Sequence, residues 1–356
     1  MGKLTLVSVE EIRARGSIRD SDVLKLRRAL FDDPQISIDE AEALFALDAA
    51  CPVKDPAWGD FFVETLTEFV VHQMRPEGYV VAEKATWLVS KLGIDGRLRG
   101  HSELQLLIHV IEAARWSPPS LAAFALTQVR HGIETGHGPL RSSHAPEIGA
   151  VSQAEIDVLR RILVGFAKEG GVPLTRVEAE ALLAINRTIA PSKSSPAWTD
   201  FFVSAVGNSV LAAMGRATPS REQIFASHAW TLGGSGSPVI LLYSQPDPAA
   251  ALPAATPGAT ASFGGHVIAG GAGSIWSSCR LLTSEERAMA RLERQRLEIV
   301  TSERIEETND DWLASRLGEG GRLNENELAL LAFVQREACG LPASLGELAA
   351  RALIAA

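Results

Sequence analysis

One eight-residue segment occurs twice in this chain of 356 residues with a single internal difference: Pro56-Ala57-Trp58-Gly59-Asp60-Phe61-Phe62-Val63 returns as Pro196-Ala197-Trp198-Thr199-Asp200-Phe201-Phe202-Val203. An Ala-Glu-Ala-Leu stretch precedes each copy, at Ala41 to Leu44 and at Ala179 to Leu182. Self-similarity at this scale marks a duplicated structural unit, and it constrains the fold more than any propensity does.

The repeat extends well beyond the eight residues. A first kind of unit opens at Asp22-Val23-Leu24 and again at Asp157-Val158-Leu159, and the offset between its copies drifts only from 135 to 140 residues. A second kind, Trp87-Leu88-Val89-Ser90-Lys91-Leu92-Gly93, returns as Trp312-Leu313-Ala314-Ser315-Arg316-Leu317-Gly318. After a one-residue deletion its match continues, with Glu103, Leu107, Val110, Pro118 and Leu121 aligning with Glu327, Leu331, Val334, Pro342 and Leu345. The order is A, B, A′, B′. This predicts a first helical module over 1–135, a linker over 136–152, and a second module over 153–356. The second module is interrupted at 233–280 by a Gly-, Ala- and Pro-rich insertion whose composition suits a flexible loop. Within it, Val239 to Tyr243 and His266 to Ile268 are short apolar runs of hairpin type.

Most of the remaining chain has helical periodicity. Ala43, Leu44 and Leu47 predict one buried face, and Trp58, Phe61, Phe62 and Leu66 predict another. Asp55-Pro56 and Ser195-Pro196 have the chemistry of helix starts, a capping side chain followed by proline at the first helical position. The expected class is all-α: two pseudo-symmetric modules of paired helix-turn-helix units, with the Trp-Phe-Phe clusters inside.

Charge and cysteine usage limit the function. A net charge of −9 argues against a nucleic-acid binder, because affinity for phosphate backbones comes from clustered Lys and Arg. Cys51, Cys279 and Cys339 are odd in number and far apart, a pattern of neither a disulfide framework nor a zinc site. The N-terminal stretch reaches Glu10, Glu11, Arg13 and Arg15 without an apolar core, and no uncharged run attains the roughly 18 residues of a membrane span. These features predict a cytoplasmic protein with no membrane span.

The turns between paired helices share a form. Phe31-Asp32-Asp33-Pro34-Gln35-Ile36, Gly93-Ile94-Asp95-Gly96-Arg97-Leu98, Lys168-Glu169-Gly170-Gly171-Val172-Pro173-Leu174 and Gly318-Glu319-Gly320-Gly321-Arg322-Leu323 each lead into a helix with an acidic first turn or nearly so. This resembles the helix-loop-helix of EF-hand proteins and is similar to the turns of TerB-like tellurite-resistance domains, over about 25 residues at each of four places. The resemblance implies a divalent cation such as Ca2+, with Asp33, Glu40, Asp95, Glu178 and Glu327 as the ligand set. A hard cation needs six to eight oxygens, and no loop places more than two side-chain carboxylates at the required positions. The bland reading of Glu40, Glu178 and Glu327 is that they complement the dipole of the helix they open.

Other chemistry is sparse. His131, His137 and His144 fall in a loop-like stretch around the junction of the first module and the linker, at spacings that match no zinc motif. Gly233-Gly234-Ser235-Gly236-Ser237 lacks the Lys-Ser/Thr ending of a phosphate loop. The expectation from sequence is therefore a non-enzymatic adaptor or regulatory scaffold that binds another protein and carries no cofactor. Its contact residues are placed in the insertion, at Val239, Ile240, Leu241 and Tyr243. Two alternatives stand beside it: a divergent metal-binding sensor, and an enzyme whose site is assembled between the modules.

Overall fold

Capping chemistry sets where the helices begin. A computed structural model describes residues 9–31, 35–141, 147–166, 174–190, 193–214, 310–318, 323–338 and 343–355, with single positions at 216, 218, 219 and 224. All of these belong to one compact unit. Val239, Ile240, Leu241 and Tyr243, the rest of the 233–280 insertion, Asp33, Cys279 and Cys339 lie outside the described residues.

The described residues are predominantly helical. In order they form α1 (Val9–Arg15), α2 (Asp20–Phe31), α3 (Ile38–Ala50), α4 (Pro56–Thr67), which continues as a π-helical turn (Glu68–Gln73), α5 (Ala82–Lys91), α6 (His101–Ala113) and α7 (Pro119–Thr135). They continue with α8 (Gln153–Phe166), α9 (Arg176–Thr188), α10 (Pro196–Ala213), α11 (Asp310–Arg316), α12 (Glu325–Ala338) and α13 (Ala343–Ala355). A two-residue parallel pair, β1 (Ser17–Ile18) with β2 (Val53–Lys54), is the one named sheet among them. The all-α class is therefore the observed one. No helix of the described residues is long and apolar enough to cross a membrane.

Both proline-headed helices start where the sequence places them. Asp55 accepts the Ala57 amide at 3.0 Å ahead of Pro56, and Ser195 Oγ accepts the Trp198 amide at 3.2 Å ahead of Pro196. On α3 the buried apolar face is Ala41, Leu44, Phe45 and Leu47, with Ala43 half-buried; the face is rotated toward Phe45, whose ring meets Phe62 edge-on at 5.5 Å. His131 belongs to α7 rather than to a loop. The helix runs through Gly132, which is buried beside Gly138 and the Arg141 side chain.

Two tryptophans anchor the core, and their polar edges are satisfied alike. Trp58 and Trp198 are both fully buried, and each packs on the two phenylalanines of its own helix. Trp58 Nε1 donates to Asp48 Oδ1 at 2.8 Å, and Lys54 Nζ donates to the same oxygen at 2.6 Å. Trp198 Nε1 donates to Asn186 Oδ1 at 3.1 Å, and there Asn326 Nδ2 takes the place of the ammonium at 2.8 Å. Ser194 and Thr199 donate in turn to Asn326 Oδ1 at 3.1 and 2.6 Å. One indole is thus held by an ion pair and the other by a neutral amide network. Buried polar atoms are paired in both, as the cost of leaving them unpaired requires.

α4 packs on α6, and α10 packs on α12. At the second contact Gly207 lets the Phe333 ring approach so closely that a Cβ would fall 2.5 Å from it. α6 also packs on α8, and α7 on α8 and α9. Arg161 of α8 grips Glu112 of α6 through two parallel bonds of 2.7 and 2.8 Å. The stretch after α7 is fastened to α8 by Arg141, whose guanidinium makes two bonds of 2.7 and 2.9 Å to Glu155 with both side chains 1% exposed. A forked pair of this kind is both stronger and more directional than a single charged bond.

Candidate functional site

Five buried glutamates occupy one position. Glu40, Glu103, Glu155, Glu178 and Glu327 are each the third residue of a helix and none is more than 4% exposed. Glu40 accepts the amide and hydroxyl of Ser37 at 2.9 Å each, while its own amide donates to Ser37 Oγ. Thr175 and Glu178 exchange the same bonds, as do Ser152 and Glu155. Asn324 and Glu327 exchange backbone-to-side-chain bonds of 2.9 Å in both directions. Glu103 accepts the Arg99 amide at 2.6 Å, the Arg99 guanidinium, and the Gly93 amide at 3.1 Å. The first four are capping boxes or their equivalents, whereas Glu103 ties Arg99 and the Gly93 turn to the start of α6, whose N-cap Gly100 makes no side-chain cap; all five place negative charge at the positive end of a helix.

Of the residues that the EF-hand resemblance implies, Glu40, Glu178 and Glu327 are therefore engaged as helix caps. Asp95 sits in a two-residue turn: Ile94 and Arg97 exchange bonds of 2.9 and 3.0 Å, and Asp95 and Gly96 have φ of 52° and 74°. That pair of left-handed residues is the type I′ geometry for which Asp-Gly is suited. Among the described residues no three His, Cys, Asp or Glu side chains come together in a group able to hold a metal ion.

Two buried titratable groups lie elsewhere. Cys51 is fully buried, and burial pushes its thiol pKa up, which leaves it protonated and unreactive at neutral pH. Lys84 is 2% exposed, and the three N–H groups of its Nζ are shared among the carbonyls of Val70, Met74, Pro76 and Tyr79, at 2.7–3.1 Å. It closes the C-terminal end of the π-helical turn, where carbonyls lack helical partners and carry the negative end of the dipole.

A cleft of about 310 Å³ lies between α7, α9 and α11. Ala123, Thr127 and Arg130 come from α7; Val177, Glu180, Ala181, Leu183, Ala184 and Arg187 from α9; and Arg316 from α11. Its floor is made of small apolar side chains, and its charged members are three guanidiniums and one carboxylate. The carboxylate is already in use: Glu180 accepts Trp312 Nε1 at 2.9 Å and lies 3.5 Å from Arg176 and 3.8 Å from Arg316. Arg176 in turn lies over the Trp312 ring, 5.0 Å from its centroid. Arg316 thus stands beside a carboxylate that Trp312 and Arg176 already share. The Arg130 Nε is buried and has no hydrogen-bond partner among the described residues.

The fold and these sites define a predominantly helical protein with an arginine-walled cleft. No protein-family model matches the chain, and no curated protein or solved structure matches it either.

Sequence reasoning did not find the cleft. Arg130, Arg187 and Arg316 are separated by 57 and 129 residues in the chain, so no local spacing brings them together. A partial signal existed in the repeat itself: Arg187 stands where the first copy has Ala49, and Arg130 where the second has Ile354. Basic residues that one copy has and the other lacks are candidates for something the repeat alone does not explain.

Proposed function

We propose that this chain is a non-enzymatic cytoplasmic scaffold that binds another protein. In this reading internal duplication built two pseudo-symmetric modules of paired EF-hand-like or TerB-like helix-turn-helix units, whose bends have exchanged cation ligation for helix capping. The observation that carries the reading is the shared use of the bend glutamates: Glu40, Glu178 and Glu327 spend their oxygens on the start of their own helices. The alike anchoring of Trp58 and Trp198 supports the duplication. Partner contact is assigned to the 233–280 insertion, since a partly apolar segment carried on a packed scaffold is where binding tends to reside.

The test is deletion of residues 233–280 from the full chain. Helical circular dichroism and the melting midpoint are expected to stay close to those of the intact protein, while affinity capture of the partner from its native host is lost. A large drop in melting temperature, or partner capture that survives the deletion, contradicts the assignment.

A further inference from the structure

We propose that the outer faces of α2 and α12 are end caps that keep this chain from stacking head-to-tail on a second copy of itself. The inference rests on the duplication in the reading above. It starts from the joint where α6 packs on α8. On α8, Arg161 forks onto Glu112 and also donates to Gln105 at 3.0 Å, and a Cβ on Gly165 would lie 3.2 Å from side-chain atoms of Ile111 and Glu112. Val158 and Ile162 complete the stripe at helical spacing, i, i+3, i+4 and i+7. Both are buried, as are Ile108 and Ile111 on α6.

A duplicated chain carries counterparts of the two sides of this joint at its ends, and matching contacts align them. Asp22 and Glu155 are each the third residue of their helix, and each accepts a guanidinium and the amide three residues back. These come from Arg15 and Arg19 for the first, and from Arg141 and Ser152 for the second. Further along, Arg27 lies over the Phe61 ring at 5.9 Å and Arg160 over the Phe201 ring at 5.7 Å. This register sets Lys25, Arg28 and Ala29 where α8 has Val158, Arg161 and Ile162, two residues away from the match that Asp22-Val23-Leu24 suggests. Glu103 and Glu327 align α6 with α12, which sets Ala332, Gln335 and Arg336 where α6 has Ile108, Ile111 and Glu112. Lys25, Arg28, Ala332, Gln335 and Arg336 are exposed, and Ala29 is half-buried.

These replacements turn the joint against itself. A second copy that docked its α2 on this α12, as α8 docks on α6, would set Arg28 against Arg336 where the joint has Arg161 against Glu112. Like charges brought together in this way suppress a wrong pairing. Lys25 would enter the apolar stripe in place of valine, and alanine and glutamine would stand for two isoleucines. Arg336 instead lies over its own Phe333 ring and bonds to Glu337, with its side chain 57% exposed. Polar outer faces on the terminal units keep a stack of repeats soluble, and a head-to-tail contact that did not close would run on as a filament.

Sedimentation of the full chain up to about 200 μM, where micromolar contacts are filled, tests the inference. The parent is expected to keep one chain's mass throughout. The fivefold variant Lys25→Val, Ala29→Ile, Ala332→Ile, Gln335→Ile, Arg336→Glu restores both faces, and its average mass is expected to about double or more as concentration rises. Adding Arg28→Glu to it sets like charges together again and is expected to return it to one chain's mass. Where the fivefold variant melts early, Lys25→Val with Arg336→Glu, at two exposed positions, is read the same way. A parent whose mass rises with concentration overturns the inference. So does a restored variant that stays at one chain's mass while melting at the parent's temperature, or one whose association survives Arg28→Glu. Partner capture does not enter a mass readout of the purified chain, so this inference and the scaffold reading fail separately.

Discussion

Replacing Lys84 with methionine is expected to lower the unfolding free energy by about 3 kcal/mol or more, measured by urea denaturation at pH 7. Methionine fills nearly the same volume, so the loss does not come from a cavity. It comes from the carbonyls of Val70, Met74, Pro76 and Tyr79, which would lose their shared donor, the bonds to Val70 and Tyr79 being fully buried and the other two partly so. Each buried acceptor left bare costs on the order of 1 kcal/mol or more, and relaxation of the 74–80 stretch recovers only part of it. The wild type also carries a pH signature. Burial brings the Lys84 pKa down from 10.5 to about 8. Between those values the unfolded chain holds a proton that the folded chain has released, so wild-type stability rises with pH relative to Lys84→Met. Below pH 8 both states are protonated and the difference is flat. A methionine variant as stable as the parent at pH 7 would show that the four carbonyls do not depend on this ammonium.

Gly93→Ala is the second large effect. Gly93 has φ of 70°, and a Cβ there would fall 1.9 Å from the Arg97 carbonyl oxygen, a backbone atom that cannot step aside. Accommodating alanine means opening the Ile94–Arg97 turn and withdrawing the Gly93 amide from Glu103, which is fully buried. The expected loss is about 2–4 kcal/mol, the sum of backbone strain and one weakened charged bond. Gly96→Ala is the control. Its φ of 74° is equally left-handed, but nothing lies within 4 Å of its Cβ position. It should cost only the local strain, about 1 kcal/mol. Equal losses at the two glycines would mean that the close approach of Arg97 plays no part.

What was legible in the sequence was local. The helix starts at Pro56 and Pro196 were readable because the cap and the proline are neighbours in the chain, and the Trp-Phe-Phe faces because their spacing is helical. Position within a helix is less well marked: on α3 the pattern allowed Ala43, but the Phe45 ring drew the buried face toward itself. His131 was placed in a loop-like stretch and instead lies inside α7, which runs on past Gly132 to Thr135. Lys84 follows Glu83 and looks like one more surface charge; only the fold wraps carbonyls from residues 70 to 79 around it. The arginine cleft belongs to the same kind. It depends on α7 meeting α9 and α11, and no spacing along the chain encodes that meeting.

The account rests on Trp58 and Trp198 being held in equivalent places by interchangeable polar sets. By the repeat alignment Asp48, Lys54, Gly59 and Ser102 correspond to Asn186, Ser194, Thr199 and Asn326. Lys54→Ser alone should cost about 2–3 kcal/mol, because Asp48, with its side chain 4% exposed, loses its cation. The fourfold variant Asp48→Asn, Lys54→Ser, Gly59→Thr, Ser102→Asn rebuilds the amide network around Trp58, and the position of Gly59 leaves room for a side chain, its nearest neighbour being Ser102 Oγ at 3.8 Å. Denaturant melts of the parent, the single and the fourfold variant are the measurement. The duplication account predicts that the fourfold variant returns to within about 1 kcal/mol of the parent, a strong positive coupling among the four positions. A fourfold variant as unstable as Lys54→Ser, or more so, contradicts it.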